Sequence, residues 1–225
     1  MNNKLTVGID FAAPIPLHTD FLSGRFEGFE VDLMKKISEE LNLELTYTVS
    51  YWKDILSQLE NGQIDAICSA ATVTPQRQRF LDFTNSYLDF RLCLVGKTNS
   101  FFPLSALESK KIGVRIKTEA EDYLKRNYTS MGLTSADTND ELYNKLLTGE
   151  LDALVDDSPI AGGFIKKHPQ LSVYHFFPNS DSQYAIALRK GNPDLKNRLN
   201  EVIDKLQQNE FLKDIKTKWF EGMEL

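Results

Sequence analysis

The residues best suited to chemistry lie in one run, CSAATVTPQRQRFLDFTNSYL, which begins at position 68. An apolar segment of β type, residues 64–68, ends there in small and hydroxylated side chains. Thr74 and Pro75 then open a short helical turn that carries Arg77, because proline presets φ in a first turn and a preceding threonine can cap it. Guanidinium matches carboxylate in bidentate geometry, so Arg77 with exposed backbone N–H groups and the Thr72 hydroxyl predicts a site for one carboxylate.

Strand and helix patterns alternate along the whole chain, which favours an α/β fold. Apolar β patterns cover residues 5–10, 43–49, 64–68, 92–95, 112–114, 151–155, 173–176 and 184–188. Helical periodicity covers 31–41, 55–59 and, with a break near position 209, 193–219. The carboxylate site is therefore expected on a loop that follows a buried strand.

A faint internal echo links two stretches of the chain without gaps. Residues 55–70, ILSQLENGQIDAICSA, align with residues 142–157, LYNKLLTGELDALVDD. Each stretch has the pattern of a helix, a glycine stop and a buried strand. Only four aligned positions are identical, so the echo has two interpretations: the general similarity of any two helix–strand units, or a pair of similar lobes.

The ends of the two echoed strands carry different chemistry. The first strand leads to Ser69, Thr72 and Arg77, which suit an anion. The second ends in Asp156 and Asp157, which suit a cation. Ligands of open α/β sheets bind at the carboxyl ends of the strands. A zwitterion held between two lobes would satisfy both strand ends.

Composition and charge narrow the class of protein. The chain has 225 residues, 41% of them hydrophobic and 26% charged, which fits one large or two small globular domains. A net charge of −6 argues against nucleic-acid binding. No apolar run approaches the roughly 20 residues that span a bilayer. The first strand follows Met1–Lys4 directly, which predicts either a cytosolic protein or a mature domain without its signal.

The two cysteines, Cys68 and Cys93, lie in apolar strand patterns and are expected to be buried thiols. A disulfide is the alternative, and it depends on a Cα separation that a sequence does not supply. No histidine or cysteine cluster accompanies them, so no metal site is expected. The sequence also gives no reason to expect a cofactor.

Over almost its whole length, the chain resembles the polar amino-acid-binding proteins of ABC transporters, bacterial solute-binding protein family 3. The matching segments include LTVGID, GFEVDLMKKISEELN, TVTPQRQRFLDFTNSY, KKIGVRIKTEAEDYL, GELDALVDDSPIAGGFI and FLKDIKTKWF, in the family's order and spacing. The resemblance implies an α/β, two-lobed periplasmic-binding-protein-like (type II) fold with two crossing hinge strands, near 92–95 and 183–186. Lobe 1 would hold 1–89 and 185–225, lobe 2 would hold 90–184, and the lobes would close on ligand.

The resemblance also implies ligand-binding roles by position. Arg77 would bind the α-carboxylate with the Thr72 hydroxyl, and Asp157 would accept the α-ammonium. The alternatives are a solvated surface charge for Arg77 and a helix N-cap for Asp157, although Ser158 before Pro159 is the better cap on spacing alone. Further expected contacts with the ligand come from Ser69, the Ala70 backbone and Thr118.

Four more residues would surround the rest of the ligand. Phe11 and Trp52 would sandwich its body, because aromatic faces pack on aliphatic chains and attract cations. Packing in the protein core is the alternative for both. Asp10 and Arg115 stand where relatives read the ligand side chain, and a mutual structural pair is their alternative.

Three departures from the family pattern affect the ligand. Ala13 replaces a usual aromatic residue, Lys117-Thr118-Glu119 replaces a usual Gly-Thr pair, and Asp156 adds an acid before Asp157. Thr118 still offers a hydroxyl and an N–H at a helix N-terminus. With Asp10, Asp156 and Glu119 set against Arg115, we expect a polar or cationic L-amino acid of the glutamine, arginine, lysine or histidine class.

The leading hypothesis is therefore an extracytoplasmic, monomeric binding protein that delivers an amino acid to an ABC permease and has no catalytic residues. Its signal or anchor would have been removed. One alternative is the ligand-sensing domain of a membrane receptor such as a histidine kinase. The other is a prephenate or arogenate dehydratase-like enzyme on the same fold, with Glu119 as its general acid.

Overall fold

A computed structural model describes residues 3–11, 17–18 and 26–223 of the chain. The chain divides into two compact units: the first holds 1–89 and 182–222, and the second holds 90–181 and 223–225. The chain returns to the first unit at Ser182, whereas the sequence predicted the return at 185. Ala13 lies outside the described residues.

Strands and helices alternate along the described chain, as the sequence predicted. The strands are β1 (Lys4–Asp10), β2 (Glu44–Ser50), β3 (Ala66–Ile67), β4 (Leu81–Phe90), β5 (Leu92–Lys97), β6 (Ile112–Arg115), β7 (Leu133–Ala136), β8 (Ala153–Asp157), β9 (Leu171–Phe176) and β10 (Ser182–Arg189). The α-helices are α1 (Phe29–Leu41), α2 (Trp52–Glu60), α3 (Glu119–Asn127), α4 (Asn139–Thr148), α5 (Ser158–Lys167), α6 (Pro193–Gln208) and α7 (Phe211–Phe220).

The first unit is built on a five-stranded sheet with the order β2-β1-β3-β10-β4. Strand β1 pairs in parallel with both β2 and β3, and β10 runs antiparallel to β3. The carboxyl ends of β1, β2 and β3 therefore lie at one edge of this sheet. That edge carries Asp10, Ser50 and the loop that follows Ile67.

The second unit repeats this topology in a sheet with the order β7-β6-β8-β5-β9. Strand β6 pairs in parallel with β7 and β8, and β5 runs antiparallel to β8. The echoed segments α2–β3 and α4–β8 thus occupy equivalent positions in two similar sheets. This topology confirms the interpretation of the echo as two similar lobes.

Two strands are absent from the sequence prediction. Strand β4 contains Asp82, Asn85 and Asp89 among its apolar residues, so its sequence alone resembles a loop. Its pairing with β10 in the sheet supplies the order that the local pattern lacks. Strand β7 has four residues and only partial burial. Within the described residues, no helix is long and apolar enough to cross a membrane.

Gly28 sets the start of α1 and the approach of a neighbouring segment. Its φ of 147° and ψ of 171° lie in a region open essentially to glycine alone. A Cβ at this position would lie 2.3 Å from the carbonyl oxygen of Leu17. That same oxygen accepts the Glu30 N–H at 3.0 Å. Gly28 therefore allows the 17–18 segment to close over the first turn of α1.

We expect Gly28→Ala to destabilise the first unit by about 3 kcal/mol, since it adds a backbone clash to a strained φ. Gly191→Ala is the matched control, because Gly191 has a φ of +85° in the same unit, but a Cβ there would meet no atom within 4 Å. This control should lose only about 1 kcal/mol. Urea unfolding followed by the fluorescence of Trp52 and Trp219 measures both losses, and equal losses would contradict the close approach of Leu17.

Candidate functional site

Arg77 lies at the strand-end edge of the first unit and is held by three neighbours. The hydroxyl oxygen of Thr74 accepts the Arg77 N–H at 3.1 Å, and its carbonyl accepts the Gln78 N–H at 2.9 Å, so threonine caps the turn that carries Arg77, as the sequence predicted. Arg77 Nη1 donates to the Thr72 carbonyl at 3.0 Å. Its guanidinium carbon lies 5.2 Å from the centroid of the Trp52 ring. With only 9% of its surface exposed, Arg77 is a fixed cation.

Ser69 and Thr72 tie the ends of neighbouring strands together. The Ser69 hydroxyl accepts the backbone N–H of Asp10 at 2.9 Å, which joins the end of β1 to the segment after β3. Thr72 forms a backbone bridge to Tyr184 of β10. All four residues are buried. The predicted residues Asp10, Ser69 and Thr72 are thus brought to one edge of the first sheet, along with Arg77.

Ala70 is held in a left-handed conformation, with a φ of +50°. Its N–H donates to Glu30 Oε1 at 2.7 Å. This N–H is therefore already engaged by a carboxylate. A ligand contact from the Ala70 backbone, as the sequence predicted, would have to use another atom of that residue.

The two predicted aromatic residues have different environments. Trp52 is buried in a core cluster with Ile55 and Leu59, which favours the packing alternative, although its ring also contacts Arg77. The Phe11 ring is partly exposed and lies 5.4 Å from the ring of Tyr51. Tyr51 was missed by the sequence analysis, and 45% of its surface is exposed. Its position between the end of β2 and the start of α2 could have indicated that it lies at this edge of the sheet.

Beneath this edge lies a buried polar group that we name the Glu30 cluster: Glu30, His18, Tyr87 and the Ala70 N–H. The Glu30 carboxylate accepts the Tyr87 hydroxyl at 2.6 Å and lies 2.7 Å from His18 Nδ1. The other ring nitrogen of His18 donates to the Asp10 carbonyl at 3.2 Å. Because both ring nitrogens face acceptors, the imidazolium form fits this geometry.

The Glu30 cluster contains His18, a residue that was not predicted to be functional from the sequence. His18 is fully buried. Burial opposes its charge, but the hydrogen bond to Glu30 and the charges of Glu30 and Asp10 raise its pKa above the ordinary 6.5. The available signal was Glu30 itself, a carboxylate one turn before Met34 on the apolar face of α1.

In the second unit, Arg115 ends β6 and is buried. Its Nε donates to the Asp137 carbonyl at 2.9 Å, and Nη1 donates to the Asn139 side-chain oxygen at 3.1 Å. Asn139 in turn donates to Asp156 Oδ2 at 2.8 Å. Asp156 therefore belongs to a network inside the second unit, whereas the sequence analysis counted it as a charge facing the ligand.

Asp157 ends β8 and occupies the N-cap position of α5, with no hydrogen bond from its side chain to the cap. The expectation that Ser158 is the cap is wrong. Ser158 is the first residue of α5, and its hydroxyl accepts the Arg91 N–H at 3.2 Å.

The unusual segment Lys117-Thr118-Glu119 opens α3. Lys117 has a φ of +57°, the left-handed conformation that glycine adopts without strain, which explains why a glycine is usual at this point. The Thr118 hydroxyl donates to the Arg115 carbonyl at 2.7 Å and accepts the Glu121 N–H at 3.3 Å. Glu119 forms an ion pair with Arg126. Thr118 thus acts as the helix cap, and Glu119 is directed to a cation of its own helix.

Comparisons with known proteins identify the family of this chain. The chain matches the sequence profile of the bacterial extracellular solute-binding proteins, family 3, over residues 5–222. The chain belongs to this family. It is similar to the L-cystine-binding protein TcyJ of Escherichia coli K12, with 28% identity over 96% of this chain and 82% of that protein. It is also similar to the L-arginine-binding protein of Pseudomonas aeruginosa, with 31% identity over 97% and 88% of the two chains.

Solved structures of the family give the same result for the fold. An ancestral arginine-binding protein bound to arginine matches with a TM-score of 0.90 and 27% identity, over 98% of this chain and 99% of that one. The fold is therefore the two-lobed α/β architecture of periplasmic binding proteins. Among the described residues, no group of three or more His, Cys, Asp and Glu side chains is arranged to hold a metal ion.

The raised pKa of His18 predicts a pH-dependent stability for the first unit. A group with a raised pKa stabilises the fold fully below its unfolded pKa of about 6.5 and loses this contribution as pH rises through its folded pKa. We therefore expect His18→Gln to destabilise the protein by about 3 kcal/mol at pH 6, since it leaves Glu30 without its cation. The loss should shrink as pH rises towards 9.

Urea unfolding of both proteins between pH 5.5 and 9 tests this prediction. His168→Gln serves as the control, because His168 lies in the second unit at the end of α5 and is only half-buried. Its effect should be small. A His18→Gln loss that stays constant across this range would contradict an ion pair between His18 and Glu30.

Proposed function

We propose that this protein is the extracytoplasmic receptor of an ABC importer and binds an amino acid through both of its units. Arg77 binds the α-carboxylate, with the Thr72 hydroxyl beside it, and Asp157 binds the α-ammonium. The observation that carries this proposal is the buried Arg77 guanidinium, fixed by Thr72 and Trp52 at the carboxyl edge of the first sheet. Family membership supports the same function.

Preorganisation supports this role for Arg77. An arginine already ordered by its neighbours loses little side-chain entropy when it binds a carboxylate. The Arg77 guanidinium lies over the Trp52 ring, and this cation–π contact helps to fix its position. The buried carboxylate of Asp157 would supply the opposite charge, for the ammonium group of the same ligand. A zwitterion is the ligand that matches both charges.

Fewer charged protein groups remain as candidate contacts for the ligand side chain than the sequence predicted. Asp156 accepts hydrogen bonds within the second unit, and Glu119 pairs with Arg126. Arg115 likewise donates to the Asp137 carbonyl and the Asn139 side chain inside the second unit, and Asp10 remains an expected side-chain contact. We propose a ligand with a polar or charged distal end, and L-arginine and L-cystine are the first candidates because similar proteins are named for binding them.

A receptor role that does not involve transport uses the same site. A sensor domain of a membrane receptor would bind its amino acid with the same residues, so the two functions differ in the partner and not in the chemistry. The dehydratase alternative has less support. Its general acid would be Glu119, and that carboxylate is paired with Arg126.

We expect Arg77→Lys and Asp157→Asn each to weaken amino-acid binding about 100-fold or more, because the first loses the bidentate guanidinium geometry and the second removes the carboxylate charge. Thermal shift with L-arginine, L-cystine, L-glutamine and L-histidine provides the measurement. A ligand at 100 times its dissociation constant adds about 2.7 kcal/mol of stability, and this gain should disappear in both variants.

Matched controls separate binding from folding in this experiment. Arg79→Lys changes an exposed arginine in the same turn, and Asp140→Asn changes an exposed aspartate of the second unit. Both should keep the shift of the unmodified protein. The absence of a shift with every amino acid would overturn the proposed function, and a shift retained in Arg77→Lys would remove Arg77 from the carboxylate site.

Asp10→Asn tests the ligand class directly. We expect it to weaken L-arginine by about tenfold or more and L-glutamine by much less, because only the cationic side chain loses a charge partner. Calorimetric titration of the two amino acids gives the ratio of the losses. Similar losses for both ligands would remove Asp10 from recognition of the side chain.

A further inference from the structure

Asp156 is a buried carboxylate that is fully occupied by partners inside the second unit. Its Oδ2 accepts the Asn139 amide at 2.8 Å and the Tyr143 hydroxyl at 3.2 Å. Its Oδ1 accepts the backbone N–H of Asp157 at 2.9 Å. These bonds fix the side chain away from solvent, and they come from two elements, α4 and β8.

The same bonds connect two residues of the proposed ligand site. On one side, Asp156 holds the backbone of Asp157, the proposed acceptor of the ammonium. On the other side, it holds Asn139, whose oxygen accepts from the Arg115 guanidinium. Asp156 therefore lies between a binding carboxylate and a binding cation, and its charge acts on both.

The groups that face Asp156 favour a change of charge. Asp157 adds a neighbouring carboxylate on the same strand, and Tyr143 approaches from α4 with its ring stacked on Phe164 at 3.7 Å. Cys93 approaches from β5 and donates its thiol to the Asp156 carbonyl at 3.5 Å. The charge of Arg115 reaches Asp156 through Asn139. Thus a second negative charge and burial away from water both favour the protonated form of Asp156, and one distant cation, Arg115, opposes them.

We propose that Asp156 is a proton-exchanging positioning residue, which releases a proton to solvent when the ligand ammonium binds at Asp157. This inference rests on the proposed function, because it assumes a cation at Asp157. A bound ammonium replaces the repulsion between the two carboxylates by an attraction to both. The ionised form of Asp156 then also draws Asn139 and, through it, orients Arg115.

The proton balance requires one group that can reverse a hydrogen bond. In the protonated form, Asp156 is a carboxylic acid whose O–H donates to the Tyr143 hydroxyl oxygen. In the ionised form, the Tyr143 O–H donates to Asp156, as its position allows. The amides of Asn139 and Asp157 remain donors in both forms. One proton leaves for the buffer, and no other bond is broken.

The titration range of Asp156 fits this exchange. Burial, followed by the charge of Asp157, raises the pKa of the Asp156 carboxyl to about 7. About half of the unliganded molecules therefore carry the proton at pH 7, and about a tenth carry it at pH 8. A bound cation lowers this pKa, so proton release should fade by pH 8 and should grow as pH falls through 7 towards the midpoint between the free and bound pKa values.

Calorimetric titration tests the proposal on the complete chain. The probe is L-arginine or L-cystine, whichever gives the larger thermal shift, titrated at pH 7 in phosphate and in Tris, whose ionisation enthalpies differ. The dependence of the heat on the buffer gives the number of protons released. We expect about 0.3 to 0.5 proton per ligand at pH 7 and about 0.1 or less at pH 8.

Variants identify the source of the proton. Asp156→Asn should abolish the buffer dependence. Tyr143→Phe should increase the release at pH 7, because it removes a donor that stabilises the ionised form and so raises the pKa of the Asp156 carboxyl further. His168→Gln, which changes a half-buried histidine at the end of α5, should leave the release unchanged. The wild-type comparison of pH 7 with pH 8 stands without any variant, so a poorly folding Asp156→Asn does not remove the test.

The outcomes separate the two proposals. Binding with the same heat in both buffers overturns the role of Asp156 and leaves the proposed function intact. Proton release that persists in Asp156→Asn also overturns it, since another group is then the source. An absence of binding with every amino acid overturns the proposed function and the inference with it.

Discussion

Each unit of this protein depends on a buried carboxylate at the end of its strands. A buried charge must be fully hydrogen-bonded or paired, because it has lost the solvation of water. Glu30 meets this requirement with donors from three separate segments, and Asp156 meets it with donors from a helix and its own strand. These bonds fix the loop at Ala70 and the backbone of Asp157. The ligand residues are therefore held by the need to solvate two carboxylates.

The two carboxylates have different partners, and yet both are expected to make the protein more stable on the acidic side of neutral pH. Glu30 has a cationic partner, His18, and this ion pair is lost as pH rises through the raised pKa of the histidine. Asp156 has neutral donors and a neighbouring acid, so its raised pKa of about 7 costs stability progressively as pH rises from the ordinary carboxyl range to about 7. Each unit is thus expected to loosen as pH rises. A ligand cation bound at Asp157 would offset the cost of burying the ionised form of Asp156.

Local signals in the sequence predicted much of the architecture, and long-range contacts account for the rest. Helical and strand periodicity, the internal echo and the Thr74-Pro75 turn are properties of neighbouring residues, so they could be read directly. The Glu30 cluster joins positions 18, 30, 70 and 87 from four segments, and no local pattern records such a contact. Likewise, whether Asp156 faced a ligand or Asn139 depended on an orientation that spacing does not fix.

The selectivity for a ligand depends on which charged side chains are already paired or hydrogen-bonded within the protein. An acid that already accepts internal donors, such as Asp156 or Glu119, contributes little direct attraction to a ligand. Arg115 is engaged in the same way, because it donates to the Asp137 carbonyl and to the Asn139 side chain inside the second unit. The ligand side chain is therefore expected to be recognised more through hydrogen-bond geometry than through net charge at these positions.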